Sequence, residues 1–257
     1  MLKINPLKKK IDRRQVVWGV WNNVPSPALA EILASGGLDF IIIDMEHGPL
    51  SFETALLSVP LCESRGVSPL VRVPGVYEQD ILRALDIGAH GLHVPNVRSV
   101  ADVEKVVEYS KYPPLGNRGF SPFTRAGDYT HKNSAALTGK ANDNTLLVMH
   151  VEGLQALNNI DELLTLKALD VLFIGLYDLS KCLGCAGDVE NPKVKKVMRT
   201  LVDKINKSGK CPATIATDPA QCKRYIDMGI RYITYSVDCE IIRRSIEDIG
   251  RQIDKIR

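Results

Sequence analysis

Short apolar runs separated by amphipathic stretches recur along the whole chain. Runs rich in Val and Ile fall at Val16–Val20, Phe40–Ile43, Pro69–Val73, Gly91–Val94, Leu146–Val151, Val171–Ile174, Pro212–Ile215 and Tyr232–Tyr235. They alternate only weakly between apolar and polar positions, as strands do when both faces are covered, and each predicts a short β-strand. The stretches between them carry helical periodicity, from SPALAEILASGG near the start to PKVKKVMRTLVDKINKSG and a last helix from near Cys239 to near Ile256. The punctuation agrees: Ser26-Pro27 suits a helix entry, Ser99 precedes Asp102 in capping-box spacing, and Gly36, Gly66, Gly88, Gly209 and Gly229 suit exits. Strand then helix, eight times over, predicts an α/β fold, a closed (β/α)8 TIM barrel built as one domain over residues 1–257. A doubly wound open sheet is the alternative, but no GxGxxG follows the first strand and eight units close a barrel without remainder.

With 257 residues, 45% of them hydrophobic, the chain has enough apolar surface for one large core. A formal charge of +3 implies no broad attraction to nucleic acid. The basic stretch KKKIDRR, Lys8 to Arg14, reads as a solvated, partly frayed terminus rather than a phosphate-binding arm. No apolar run approaches the roughly 20 residues that cross a bilayer. The start MLKINPLKKK lacks the apolar core of an export signal, so a cytoplasmic protein without membrane attachment is expected. The six cysteines lack the spacing of a disulfide framework and are expected to be reduced. Cys182 and Cys185, in CLGC, supply only two of the ligands a zinc site needs. The segment Lys111 to Tyr129 resists a regular element; its Arg118 and Arg125 are candidates for binding an anionic group or, equally, for structural arginines that hold the loop.

The chemistry gathers where apolar runs end: Asp44, Glu46 and His47 after FIII, Arg72 in PLVRVP, His150 and Glu152 in LLVMHVEG, and Asp178 after VLFIGLY. Strand ends in a barrel share one rim, so groups scattered in sequence are able to form one site. Glu152 and Asp178 follow strands of successive units, and two converging carboxylates repel unless a proton or cation separates them. A hard cation such as Mg2+ or Mn2+ resolves that conflict; the alternative for Asp178 is a helix cap. His150 shares a strand face with Glu152 and reads as a third ligand, a base, a donor to Glu152 or a satisfied interior histidine. Arg72 matches the fork of a substrate carboxylate, with Asp44 or Glu46 as alternative permanent partners. An imidazole at His47 held by Asp44 would be a base near neutral pH. Together these describe a 2-oxo acid held by metal and arginine, an enolate formed at C3 and its addition to an aldehyde, or the reverse. No lysine stands at a strand end in an apolar setting to form a Schiff base.

The passages GVWNNVPSPALAEILASGGLDFIIIDMEHGP, VRVP, ILRALDIGAHGLHVPNV, KYPPLGNRG, VEG and FIGLYDLS, in that order, resemble the HpcH/HpaI aldolases, the metal-dependent pyruvate aldolases of class II. The likeness runs from about Val17 to the final helix. It implies a TIM barrel, a C-terminal helix exchanged between the members of a dimer, and a homo-oligomer, a hexamer as a trimer of dimers. It also implies a divalent cation (Mg2+, Mn2+ or Co2+) and small-molecule 2-oxo acid and aldehyde substrates. By the resemblance, Glu152 and Asp178 are the metal ligands, Arg72 the carboxylate and oxyanion clamp, and His47 with Asp44 the water-assisted acid/base pair. Asp86, in ALDIGAH, matches an acidic residue that completes the neighbouring subunit's site.

Three features depart from the family pattern. His150 stands where relatives commonly have glutamine; Leu176 and Tyr177 replace proline and alanine in a turn whose backbone meets the 2-oxo acid; and CLGC follows Ser180. Leu176, Tyr177 and His150 are therefore candidate substrate-contacting positions that reshape the donor pocket. The alternatives are a citrate-lyase-like barrel that cleaves acyl-CoA thioesters and a noncatalytic barrel acting as a binding or regulatory subunit.

Overall fold

Eight parallel strands pair in sequence order and close on themselves, β8 against β1, so the open-sheet alternative is excluded. The computed structural model describes residues 5–132 and 134–257. The strands are β1 (Val17–Asn22), β2 (Phe40–Asp44), β3 (Ser68–Arg72), β4 (Gly91–Val94), β5 (Leu146–Val151), β6 (Val171–Ile174), β7 (Cys211–Ala216) and β8 (Tyr232–Val237). Around them lie α1 (Pro6–Asp12), α2 (Pro27–Ala34), α3 (Phe52–Ser64), α4 (Glu78–Asp86), α5 (Val100–Ser110) and α6 (Ser134–Asn144). The second half adds α7 (Leu154–Asn158), α8 (Ile160–Leu163), α9 (Leu176–Cys182), α10 (Pro192–Lys207), α11 (Pro219–Met228) and α12 (Asp238–Asp254). Every predicted strand is present, three with the expected ends; the others shift by a residue or gain one or two, because ladder pairing continues past the apolar run. Among the described residues no helix is long and apolar enough to cross a membrane.

Two apolar layers follow from the period of two along each strand. One face of the strands packs outward against the helices, with Ile41, Ile43, Val71, Leu147, Leu172 and Ile174 in that layer. The other fills the barrel with Val17, Trp21, Phe40, Ile42, Leu70, Leu146, Val148, Val171, Phe173 and Tyr232. Gly19 belongs to the inward parity, and a Cβ there would sit 2.5 Å from the Phe40 ring, so its small size lets that ring occupy the interior. Asp44, Arg72 and His150 continue the inward parity of Phe40/Ile42, Ser68/Leu70 and Leu146/Val148 to the strand ends. The alternation that packs the core therefore aims these polar groups into the barrel mouth.

The N-terminal basic stretch is not a frayed arm. It forms α1, capped by the Asn5 side chain, which accepts from the backbone N–H of Leu7 and Lys8 with Pro6 at the first helical position. Leu7 and Ile11, four apart on one face, are 1% and 8% exposed and join the interior layer, closing the end of the barrel where the strands begin. The lysines lie on the other side, where Lys8 pairs with Asp170 and Lys10 with Asp39. Charge set the expectation, but the apolar pair decided the outcome, because the open barrel end is a large apolar surface in need of cover. Leu7→Ala is expected to lower unfolding stability by about 2 to 5 kcal/mol in urea melts. A change below about 0.5 kcal/mol, the size of a surface substitution, would return α1 to the status of a surface arm.

Candidate active site

At the opposite end, where the strands finish, a cleft of about 260 Å3 is lined by Trp21, Asn23, Asp44, His47, Arg72, His150, Glu152, Phe173, Gly175, Leu176, Tyr177, Asp178, Ile215 and Val237. Apart from Glu46 and Asp86, every residue assigned from the sequence to the catalytic, substrate or metal set lines this space. They come from the ends of β2, β3 and β5, from the residues just after β2 and β5, and from the first turn of α9.

Asp44 and Arg72 are register partners across β2 and β3, which brings the carboxylate and guanidinium together. Arg72 donates through Nε to Asp44 Oδ1 at 2.7 Å and through Nη2 to Oδ2 at 2.5 Å, a fork-to-fork pair. Its Nη1 lies 3.1 Å from Glu46 Oε2, and its face lies 4.2 Å above the Trp21 ring. Of the alternatives for Arg72, the pairing with Asp44 and Glu46 is the one the structure contains. Burial pushes the Asp44 carboxyl up, but the hydrogen bonds and charge of Arg72 outweigh it and hold the group below the usual carboxylate range. Asp44 Oδ1 also accepts from the backbone N–H of Glu46 and His47, fixing the turn after β2. Asp44 thus holds His47 by its main chain and not by its ring, a correction to the expected imidazole–carboxylate dyad. The strand register gives the Asp44 carboxylate to Arg72. The His47 ring is 68% exposed, with Nε2 3.9 Å from Glu46 Oε2.

Glu152 is held from two sides. Oε1 accepts from the Asn96 backbone N–H at 2.7 Å, and Oε2 lies 3.6 Å from His150 Nδ1. Burial raises its pKa, but the contacts with His150, Asn96 and Arg72 prevail and keep it low and ionised. Gly175 gives it room, since a Cβ there would sit 2.9 Å from Oε2. Asp178 lies in the first turn of α9, whose N-cap is Gly175 without a side-chain cap, so Asp178 does not cap the helix. Its carboxylate is exposed in the cleft and has no partner among the described residues. Leu176 buries its side chain in the outer layer, whereas Tyr177 is 53% exposed at the rim.

Asp44, Glu46, Glu152 and Asp178 stand in or beside a cleft in which Arg72 is the one guanidinium among the described residues. Burial raises the pKa of Glu46; Arg72 and His47 oppose this and Glu152 and Asp44 add to it, with a net rise. This excess of negative charge suits a cation. Among the described residues no three His, Cys, Asp or Glu side chains are arranged to hold a metal ion. Glu152 and Asp178 are the two carboxylates of the cleft that could hold a divalent cation, in a site of the type completed by water and substrate oxygens.

Asp86 lies outside the cleft, at the end of α4, where Arg118 donates to it at 2.6 Å. Arg118 stacks on Tyr112, and Arg125 pairs with Glu63, so both arginines of the long 111–129 segment serve ion pairs near the start of β4 rather than the cleft. Sequence reasoning missed Trp21, Asn96, Phe173 and the buried His93. The parity of β1 and β6 was a signal for Trp21 and Phe173, and that of β4 for His93. Asn96 acts through its backbone, which carries no side-chain signal.

Residues 18–245 match the HpcH/HpaI aldolase/citrate lyase family. A hydroxypyruvate/pyruvate aldolase from Cupriavidus necator is 32% identical over 235 residues, spanning 91% of this chain and 87% of that protein. A 4-hydroxy-2-oxo-heptane-1,7-dioate aldolase from Escherichia coli is 30% identical over 248 residues, spanning 94% and 91%. Among solved structures, an HpcH/HpaI aldolase/citrate lyase family protein from Burkholderia cenocepacia J2315 superposes with a TM-score of 0.92 at 27% identity, covering 97% of this chain and 99% of that one. The barrel, its cleft of strand-end carboxylates and arginine, and a match over nearly the whole length agree: the chain belongs to the HpcH/HpaI aldolase/citrate lyase family.

Proposed function

We propose that this protein is a metal-dependent aldolase. It reversibly cleaves a hydroxy-2-oxo acid into pyruvate, or a related 2-oxo acid, and an aldehyde. Family membership supports carbon–carbon bond chemistry of the aldolase or lyase type. The observation that carries the finer reading is that Glu152, just after β5, and Asp178, in the helix that follows β6, line one cleft with Arg72. A divalent cation (Mg2+, Mn2+ or Co2+) between the two carboxylates would offset their repulsion and draw electron density from the keto group of the substrate.

The chain's own residues account for the rest. Arg72 retains N–H groups beyond those given to Asp44, and these offer positive charge to the substrate carboxylate or to the developing enolate oxygen. In the cleavage direction a base takes the proton of the C4 hydroxyl, the C3–C4 bond breaks, the aldehyde leaves, and the enolate collects a proton at C3. His47, exposed on the turn after β2, exchanges protons with the site through water. Trp21, Phe173 and Ile215 line the inner wall and exclude water from the reacting carbons.

Retro-aldol and aldol assays with added Mg2+, Mn2+ or Co2+, using pyruvate, hydroxypyruvate and a panel of hydroxyaldehydes, test this reading. Absence of turnover with every donor and cation would reject it. His47→Ala is expected to keep donor binding and to slow proton exchange at C3 by about 10²- to 10⁴-fold, the usual worth of a positioned acid/base. Exchange at the wild-type rate would remove His47 from that role.

The assembly belongs to the proposal as well. Ile242, Ile246, Ile249 and Ile253 of α12, with Ile256 beyond it, are 44%, 65%, 51%, 45% and 85% exposed, an apolar stripe suited to a second copy of the chain. Asp86, held by Arg118 outside its own cleft, is then available to a neighbouring subunit. Light scattering is expected to give a multiple of the chain mass, a hexamer by family resemblance; a monomer would exclude both roles.

A further inference from the structure

Below the cleft, inside the barrel, three side chains continue the polar contacts of Glu152 into the core. His150 Nε2 lies 3.0 Å from His93 Nδ1, and His93 Nε2 lies 2.8 Å from the Tyr232 hydroxyl. These two hydrogen bonds link His150, whose Nδ1 faces Glu152 Oε2 at 3.6 Å, to a phenol stacked on Phe40. His93 and Tyr232 are fully buried and His150 is 1% exposed, with Trp21 and Phe173 packed edge-on or stacked against both imidazoles. Nothing in the carbon–carbon chemistry above uses His93 or Tyr232.

His93 is fully buried, and its only hydrogen-bond partners among the described residues are His150 and Tyr232, so no counter-charge holds a second proton on it; across the 3.0 Å contact one nitrogen donates and the other accepts. A neutral imidazole has one N–H and one bare nitrogen, which leaves such a chain two self-consistent directions. Running toward the core, it would aim the bare Nδ1 of His150 at a carboxylate and leave the phenol hydrogen without an acceptor, since His93 is the only hydrogen-bond partner of that hydroxyl among the described residues. Running toward the cleft, both buried hydrogen bonds are made and the remaining N–H faces a carboxylate. The Tyr232 O–H donates to His93 Nε2, His93 Nδ1–H donates to His150 Nε2, and His150 Nδ1–H points at Glu152.

We propose that Tyr232 and His93 are positioning residues that lock His150 as the Nδ1–H tautomer aimed at Glu152. Two interior partners and the carboxylate together determine the proton's place, and any reversal strands a buried polar group. His150 and the Asn96 amide then fix Glu152 from opposite sides, so that its free lone pairs are set before a cation arrives. The effect on cation binding rests on the reading of Glu152 as a ligand; the tautomer assignment does not.

Nitrogen-15 spectra of histidine-labelled, metal-free protein read the tautomer directly. The wild type is expected to show protonated Nδ1 and bare Nε2 for both His93 and His150. His93→Leu and Tyr232→Phe are expected to mix the His150 tautomers and to weaken Mn2+ binding by about tenfold or more. His93→Gln, whose amide supplies both a donor and an acceptor, is expected to restore both readouts. A wild-type His150 protonated on Nε2 overturns the assignment. Unchanged His150 signals, or unchanged Mn2+ affinity, in both Tyr232→Phe and His93→Leu overturns the positioning role. Tyr232→Phe removes a single oxygen and carries the test if His93→Leu does not fold. A wild type that binds no Mn2+ rejects the cation reading alone, and the tautomer signals still decide this one.

Discussion

Glu152→Ala is expected to lower kcat/KM by about 10²- to 10³-fold, the scale set by removal of one preorganised electrostatic partner, and to abolish Mn2+ binding by calorimetry. Asp178→Ala is expected to follow it, because either carboxylate alone leaves a cation with one protein ligand. The fold is expected to be retained. Relief of repulsion with Glu46 partly offsets the lost contacts with Asn96 and His150, so a stability loss of about 1 to 3 kcal/mol, the cost of leaving one hydrogen-bonding group unsatisfied, is expected. A folded protein without turnover is the pattern that separates this role from a general structural defect. Glu152→Gln separates charge from shape: it retains an acceptor for the Asn96 N–H and loses the negative charge. Full turnover in both Glu152→Ala and Asp178→Ala would end the metal proposal.

Arg72→Lys is expected to cost about 10²- to 10³-fold in kcat/KM with the fold retained. An ammonium keeps the charge but cannot make the fork with Asp44 and reach Glu46 from one planar group. Arg72→Ala is a different experiment. It strands Asp44, whose side chain is 1% exposed, as a buried charge without its partner, and a loss of about 3 to 5 kcal/mol is expected. The pH dependence has a definite sign. Because the folded pKa of Asp44 is lowered, the pair's contribution is fully present above the unfolded carboxylate pKa and is lost as pH falls through the folded value. In Arg72→Ala that part of the acid dependence should vanish or reverse, since burial then acts on Asp44 without a compensating charge. Equal activity in Arg72→Lys and wild type would remove the bidentate geometry from the mechanism.

Much of the site could be read from residues at the ends of apolar runs, because parity is local. Once Phe40 and Ile42 face the interior, Asp44 does too, and the same holds from Leu70 to Arg72 and from Val148 to His150. The partner of each group was not legible. His47, three residues from Asp44, was the natural sequence neighbour, yet the register of β2 against β3 sets Arg72 beside that carboxylate and leaves the ring in solvent. His93 lay in LHVP without an obvious role until β4, β5 and β8 placed it between His150 and Tyr232. The N-terminal segment was misjudged for a similar reason: five basic residues outweighed one apolar pair in composition, while the barrel needed that pair.

The amino-acid sequence by itself determined the eightfold strand–helix rhythm, the inward or outward face of each strand residue and the family to which the chain belongs, all properties of local pattern and order. Tertiary structure alone decided that Arg72 binds Asp44 and Glu46, that α1 plugs the barrel, and that a buried imidazole pair leads from Tyr232 to Glu152. Those contacts join residues far apart in the chain, and barrel closure and strand stagger choose them; no periodicity within a single strand encodes which neighbour its side chains will meet.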